Sequence, residues 1–247
     1  MAIYAVDESQ RRAARVAGVL YLLTILAANL TEFYVRRQLM VHGDAVQTAT
    51  NIAAHEQLFR LGIASDLLML AGHIALAVAL YVILKPVSRN LALVAMFWWL
   101  VECSVAAATL GIDFAAVHSL TGSNLPALNS EQLQSLARLL ISLDAGGNRI
   151  AALFFGLGSS LCCYLWFKSR YIPRVLAAGG ILASLVHTFI PFSTIVFASL
   201  ADAPLRRARS GIPIAIFEIV VGFWLLIKGI DVPPQTGSTL NSSGTSS

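Results

Sequence analysis

The chain has 247 residues, of which 57% are hydrophobic and 12% charged, with a formal net charge of +4. Soluble domains carry about 25% charged residues, so an ordinary water-soluble globule is excluded. The 17 Lys and Arg sit in short runs beside apolar stretches, as in Arg11-Arg12 and Lys168-Ser169-Arg170, and not on one polar face. That pattern argues for contacts with membrane lipids and against nucleic acid.

Residues 1–12 read as a short polar arm on the cytoplasmic side. The first apolar stretch, Ala13–Phe33, is too long for a signal peptide, and no clean A-x-A site follows before Thr31-Glu32, so a retained helix is expected. Within the polar segment after it, Ala45–Arg60 spaces its apolar residues as an amphipathic helix lying at the interface. Leu61–Leu84 and Leu91–Ile112 are the second and third stretches, joined by the basic turn Lys85-Pro86-Val87-Ser88-Arg89-Asn90. Proline lacks a donor and restricts its predecessor, so it ends the helix there.

The connection Asp113–Arg149 is longer and is expected to hold a separate short helix over Ser130–Leu143. Ile150–Phe167 and Val175–Leu200 come next, joined by a second short basic turn, Lys168–Arg174. The arginine-bearing loop Asp202–Gly211 leads to Ile212–Ile230. The tail, 231–247, is rich in Ser, Thr, Pro and Gly and is expected to be disordered.

Each stretch is near the roughly 20 residues that a helix needs to cross about 30 Å of hydrocarbon. The reading is an all-α integral membrane bundle of six transmembrane helices, with short amphipathic helices in the loops after spans one and three. The two shortest loops are basic and free of acids, whereas the longer opposite loops carry Glu56, Asp113, Glu131, Asp144 and Asp202. Positive charge in short loops marks the cytoplasmic side, which places both termini there. Trp166 with Lys168, and Trp224 with Lys228, read as aromatic and basic anchors at that same face.

Asp66, His73, Glu102, His187 and Glu218 stand inside the predicted spans. Ionisable groups at that depth are expensive and mark candidate sites. Asp66 and His73 are seven residues apart, about two turns, so they share a face. The cations at hand are Arg60, at the mouth of the second span, and Arg149, at the start of the fourth. Arg60 lies six residues away, about 120° off the face of Asp66, which favours a partner for Asp66 from another helix. These seven residues form the candidate binding set, gathered around one polar cavity able to relay protons or hold a cation. The blander reading is a set of interhelical hydrogen bonds.

The histidines lack Glu-x-x-His or His-Glu-x-x-His spacing, so no metal, haem or other cofactor is expected. Ser65 beside Asp66 and Ser104 near Glu102 are not recognisable nucleophile–base pairings, and no catalytic residue is assigned. Cys103, Cys162 and Cys163 fall within spans and read as buried small hydrophobes. Ala152, Gly156 and Ser160 recur every four residues, and Gly180 and Ser184 do the same in the next span. Such stripes let backbones approach, which predicts close packing of spans four and five. An oligomer seam on those stripes is the alternative.

Several stretches carry a resemblance. They are Arg15–Thr24 (RVAGVLYLLT), Phe59–Leu68 (FRLGIASDLL), Ala79–Arg89 (ALYVILKPVSR), Phe154–Gly158 (FFGLG), Ser169–Arg174 (SRYIPR) and Trp224–Gly229 (WLLIKG). In this order the chain resembles the bacterial family called domain of unknown function 4386, from Arg15 to Gly229. The Lys-Pro-Val and Ser-Arg-Tyr-Ile-Pro-Arg turns are the most specific parts. His73, Cys162 and Cys163 stand outside the pattern. The resemblance implies a six-span inner-membrane protein with no assigned reaction, and it carries over no functional residue. Three functions stay open: a small transporter for a small molecule or ion, an enzyme acting on a lipid or hydrophobic substrate, and a non-catalytic membrane partner or sensor.

Overall fold

The structure is a computed structural model that describes residues 6–41, 44–121, 130–197 and 211–230. Helix α1 (Glu8–Leu30) opens on a capping box: Asp7 accepts from the Gln10 amide at 2.7 Å, and the Gln10 side chain accepts from the Asp7 amide at 3.1 Å. Two otherwise unpaired donors are thereby satisfied. The helix therefore begins inside the segment read as a polar arm. Gln10, buried, also donates to the Ile83 carbonyl at 2.9 Å and so ties this end to the second long helix.

Instead of ending near Phe33, α1 runs on through a π-helical turn, Thr31–Arg36, and a last α turn, Arg37–Leu39. A π turn holds one extra residue, which rotates the rest of the helix by about 100° and is frequent at functional sites. Here Val35 and Leu39 are buried against Ile52, Phe59 and Ile63. Helix α2 (Ala45–Ala54) is capped by Asp44, which accepts from the Gln47 amide at 2.9 Å. The amphipathic segment thus breaks at His55, and Glu56–Arg60 belong to α3 (Glu56–Leu84). Through Ile52, α2 packs onto the ends of α1 and α3.

Pro86 turns the chain, with Val87 and Ser88 donating to the Leu84 carbonyl at 3.0 and 3.2 Å. Helix α4 (Arg89–Thr121) comes next, and then α5 (Ser130–Ser169). The separate helix expected over Ser130–Leu143 is instead the first part of α5. A helix keeps its own backbone bonds on leaving lipid, so a change of polarity need not end it. Helix α6 (Arg174–Val196) contains Pro191, and α7 (Gly211–Ile227) closes the described chain. The polar tail, 231–247, lies outside the described residues.

Among the described residues, five helices are long and apolar enough to cross a membrane, and α7 is a shorter apolar one. At 1.5 Å per residue its 17 residues span about 26 Å, just under the hydrocarbon thickness. Neighbours pack in chain order around a ring: α1 on α3, α3 on α4, α4 on α5, α5 on α6, α6 on α7, and α7 back on α1. The closing contact is close, because a side chain at Gly18 would meet the Gly222 carbonyl at 2.9 Å.

Helix α5 fits between two neighbours for the same reason. A side chain at Gly158 would overlap the Trp99 ring of α4, and one at Gly156 would overlap the Thr188 hydroxyl of α6. The small-residue stripe is thus occupied within the chain, and the fourth and fifth predicted spans are neighbours. The half of the ring nearest the two short turns is an apolar core that includes Tyr21, Leu80, Cys163, Trp166 and Leu225. Trp166 is wholly buried there, so it is a core residue and not the interfacial anchor expected; Trp224 packs against the same core. The cysteines are free and buried, as read.

Candidate functional site

The buried ionisable residues form two groups rather than one cavity, because α3 carries them two turns apart. Asp66 belongs to the first. Its partner is Arg36, delivered by the π turn of α1, whose guanidinium lies 3.2 Å from the Asp66 carboxylate. Arg36 also lies 3.9 Å from Asp144 of α5, and buried Asp113 of α4 is within electrostatic reach. Asn148, one turn along α5, donates to Asp144 at 2.7 Å. Four helices therefore contribute one charge each, three carboxylates against one guanidinium.

Beside this group is a cavity of about 190 Å³. Its lining runs from buried Thr31 and Asp66 through Arg36, Met69 and Thr109 to exposed Glu32 and Asn148. The Thr31 hydroxyl is buried with no hydrogen-bond partner. A buried polar atom without a partner costs about 1–3 kcal/mol, a cost that a ligand or water atom in this cavity would relieve.

The second group lies two turns further along α3. His73 Nδ1 is 3.7 Å from Glu102 Oε1, across the α3–α4 contact. That is too long for a hydrogen bond, and Nδ1 is buried without one. The Cys103 thiol lies 3.2 Å from the other oxygen, Glu102 Oε2. Glu218 of α7 is half-buried within electrostatic reach of His73 and Glu102. Phe155 stacks on His73 with centroids 5.8 Å apart and meets His187 edge-on at 5.5 Å. Trp99 also stacks on the Phe155 ring, with centroids 5.9 Å apart, and donates from Nε1 to the Phe155 carbonyl at 3.1 Å. The two histidines are thus joined through a phenylalanine.

Of the seven residues singled out, His73, Glu102, His187 and Glu218 gather in the second group and Asp66 stands in the first. Arg60 joins neither: it is exposed, paired with Glu56 at 2.7 Å in its own helix, and set over the Phe114 ring. Arg149 is half-buried on α5 and enters no ion pair among the described residues. Arg36, Asp113, Asp144 and Cys103 are the partners that sequence reasoning missed. Asp113 and Asp144 looked like loop acids because hydropathy ended the spans too early. Arg36 carried no local signal, since only the π turn directs it inward.

A ring of long apolar helices, five of them able to cross a membrane by length and composition, defines a multi-pass helical membrane protein. Within that class, residues 16–229 match the family model described as Domain of unknown function (DUF4386), and the chain belongs to that family. An uncharacterized protein of Archaeoglobus fulgidus is 26% identical over 160 residues, covering 63% of this chain and 76% of that protein. No solved structure matches.

Proposed function

We propose that this protein is a small transporter that takes a monovalent, guanidinium-sized cation into the cavity beside Arg36 and Asp66. The observation that carries this reading is the excess of acid: Asp66, Asp113 and Asp144 share one guanidinium next to a cavity of about 190 Å³. In a poorly solvated site such an excess attracts either a cation or a proton. Protonation of one aspartate and entry of a cation are then alternatives, the condition for exchanging one against the other. Thr31 and Thr109 offer hydroxyl oxygens to the bound ion. The apolar core beyond the His73 group separates the cavity from the two short turns.

The membrane is the cell's inner membrane in this reading, with both termini in the cytoplasm. Support comes from the short basic turns at Lys85–Asn90 and Lys168–Arg174, which share one end of the bundle with the start of α1 through the Gln10–Ile83 bond. The acidic cavity then faces the other side.

The test is uptake of labelled guanidinium into proteoliposomes that hold the full chain, driven by an outward proton gradient. Saturable uptake is expected, reduced at least tenfold in Asp66→Asn and in Asp113→Asn. Uptake equal to that of protein-free vesicles, or unchanged in both variants, overturns the reading.

A further inference from the structure

His73, Glu102 and Cys103 present one nitrogen, one oxygen and one sulfur donor within 4.8 Å of one another. We propose that these three residues are a binding site for a borderline divalent metal ion of the zinc type. Three independent features of the geometry support it.

The first is spacing. Zinc binds imidazole nitrogen and carboxylate oxygen at about 2.0–2.2 Å and thiolate at about 2.3 Å, so neighbouring donors of a tetrahedral ion stand about 3.3–3.7 Å apart. His73 Nδ1 and Glu102 Oε1 are 3.7 Å apart, inside that window, while the Cys103 thiol, which donates a hydrogen bond to the other oxygen, Glu102 Oε2, at 3.2 Å, falls just short of it. The first distance is wrong for a hydrogen bond and right for two ligands of one ion.

The second is the unbonded nitrogen. His73 Nδ1 is buried with no hydrogen-bond partner. In the neutral ring with the proton on Nε2, its lone pair faces Glu102, and a metal ion there satisfies it. Phe155 stacked on the ring fixes the direction of that lone pair.

The third is charge. A divalent ion with one thiolate, one carboxylate and one neutral imidazole has no net charge, the form a membrane interior tolerates best. On binding, the Cys103 thiol gives up its proton to bulk water, so affinity rises with pH. A mixed N, O and S donor set suits zinc or cobalt better than magnesium or calcium, which prefer oxygen. Glu218, within electrostatic reach of His73 and Glu102, adds a second carboxylate to the surroundings of such an ion.

Sequence spacing gives no hint of this site, because the ligands come from two helices and only Glu102 and Cys103 are adjacent. The inference does not rest on the transport reading, since guanidinium uptake and metal spectra can fail separately. It is tested on the full chain in detergent micelles, stripped with a chelator and titrated with cobalt(II). A thiolate-to-cobalt charge-transfer band with tetrahedral d–d bands is expected, saturating at one ion per chain and bleached by zinc. Cys103→Ser removes the charge-transfer band, whereas the Cys162→Ser, Cys163→Ser double variant keeps it. Glu102→Gln, which preserves side-chain shape, weakens cobalt binding at least tenfold. No band in the parent protein, or a band that survives Cys103→Ser, overturns the proposal.

Discussion

Around Arg36, three carboxylates from three helices share one guanidinium beside a cavity; around His73, two carboxylates, an imidazole and a thiol meet with no Lys or Arg paired to them among the described residues. The first group carries its own counter-charge and forms a close ion pair. The second keeps a nitrogen unbonded and is held by aromatic stacking through Phe155 and by Trp99. The difference teaches how a bundle can store charge in two forms. One is an ion pair that fixes helices α1, α3 and α5, and the other is a donor set that leaves a place for an ion.

The largest effect that can break this comparison is removal of the shared cation. Arg36→Met leaves Asp66 and Asp144 without their partner, and for this part-buried pair the loss should be about 2–3 kcal/mol, below the roughly 3–5 kcal/mol of a fully buried pair broken on one side. Unfolding monitored in micelles should show that loss, partly restored by adding Asp66→Asn. A loss below about 1 kcal/mol would mean that the guanidinium does not hold the carboxylates together.

Packing sets the next scale. Gly156→Leu drives a side chain into Thr188 of α6 and should cost about 1–3 kcal/mol, as overpacking does, with both polar groups intact. The same unfolding assay reads it, and a variant as stable as the parent would show that α5 and α6 are not in close contact there.

Smaller still is Glu102→Gln. With no Lys or Arg paired to Glu102 among the described residues, it should change stability in the metal-free protein by roughly 0.6 kcal/mol, the usual scale of an interhelical polar contact. A loss as large as that of Arg36→Met would erase the distinction between the groups. Arg60→Ala should fall within about 0.5 kcal/mol of the parent, since its partner Glu56 is one turn away on an exposed face.

Hydropathy made the helical bundle legible, because lipid demands long apolar runs with satisfied backbones. It also marked Asp66, His73, Glu102, His187 and Glu218 as unusual. It could not place helix ends. Ser130–Leu143 looked like a loop helix, although its backbone bonds continue unbroken into Ile150. Nor could it show which residues meet. Asp66 needed a cation from another helix, as its angle from Arg60 indicated, but Arg36 emerges only once a π turn shifts the phase of α1. Cys103 looked like core filler until α3 brought His73 opposite Glu102.

The most direct test is a pair of double-mutant cycles on α3. Arg36→Met with Asp66→Asn should give a coupling energy above about 1 kcal/mol, within the range for contacting charged residues. Asp66→Asn with His73→Gln, two turns apart on one helix, should be additive to within about 0.5 kcal/mol. Strong coupling between Asp66 and His73, or none between Arg36 and Asp66, would contradict the division of the buried charges into two separate groups.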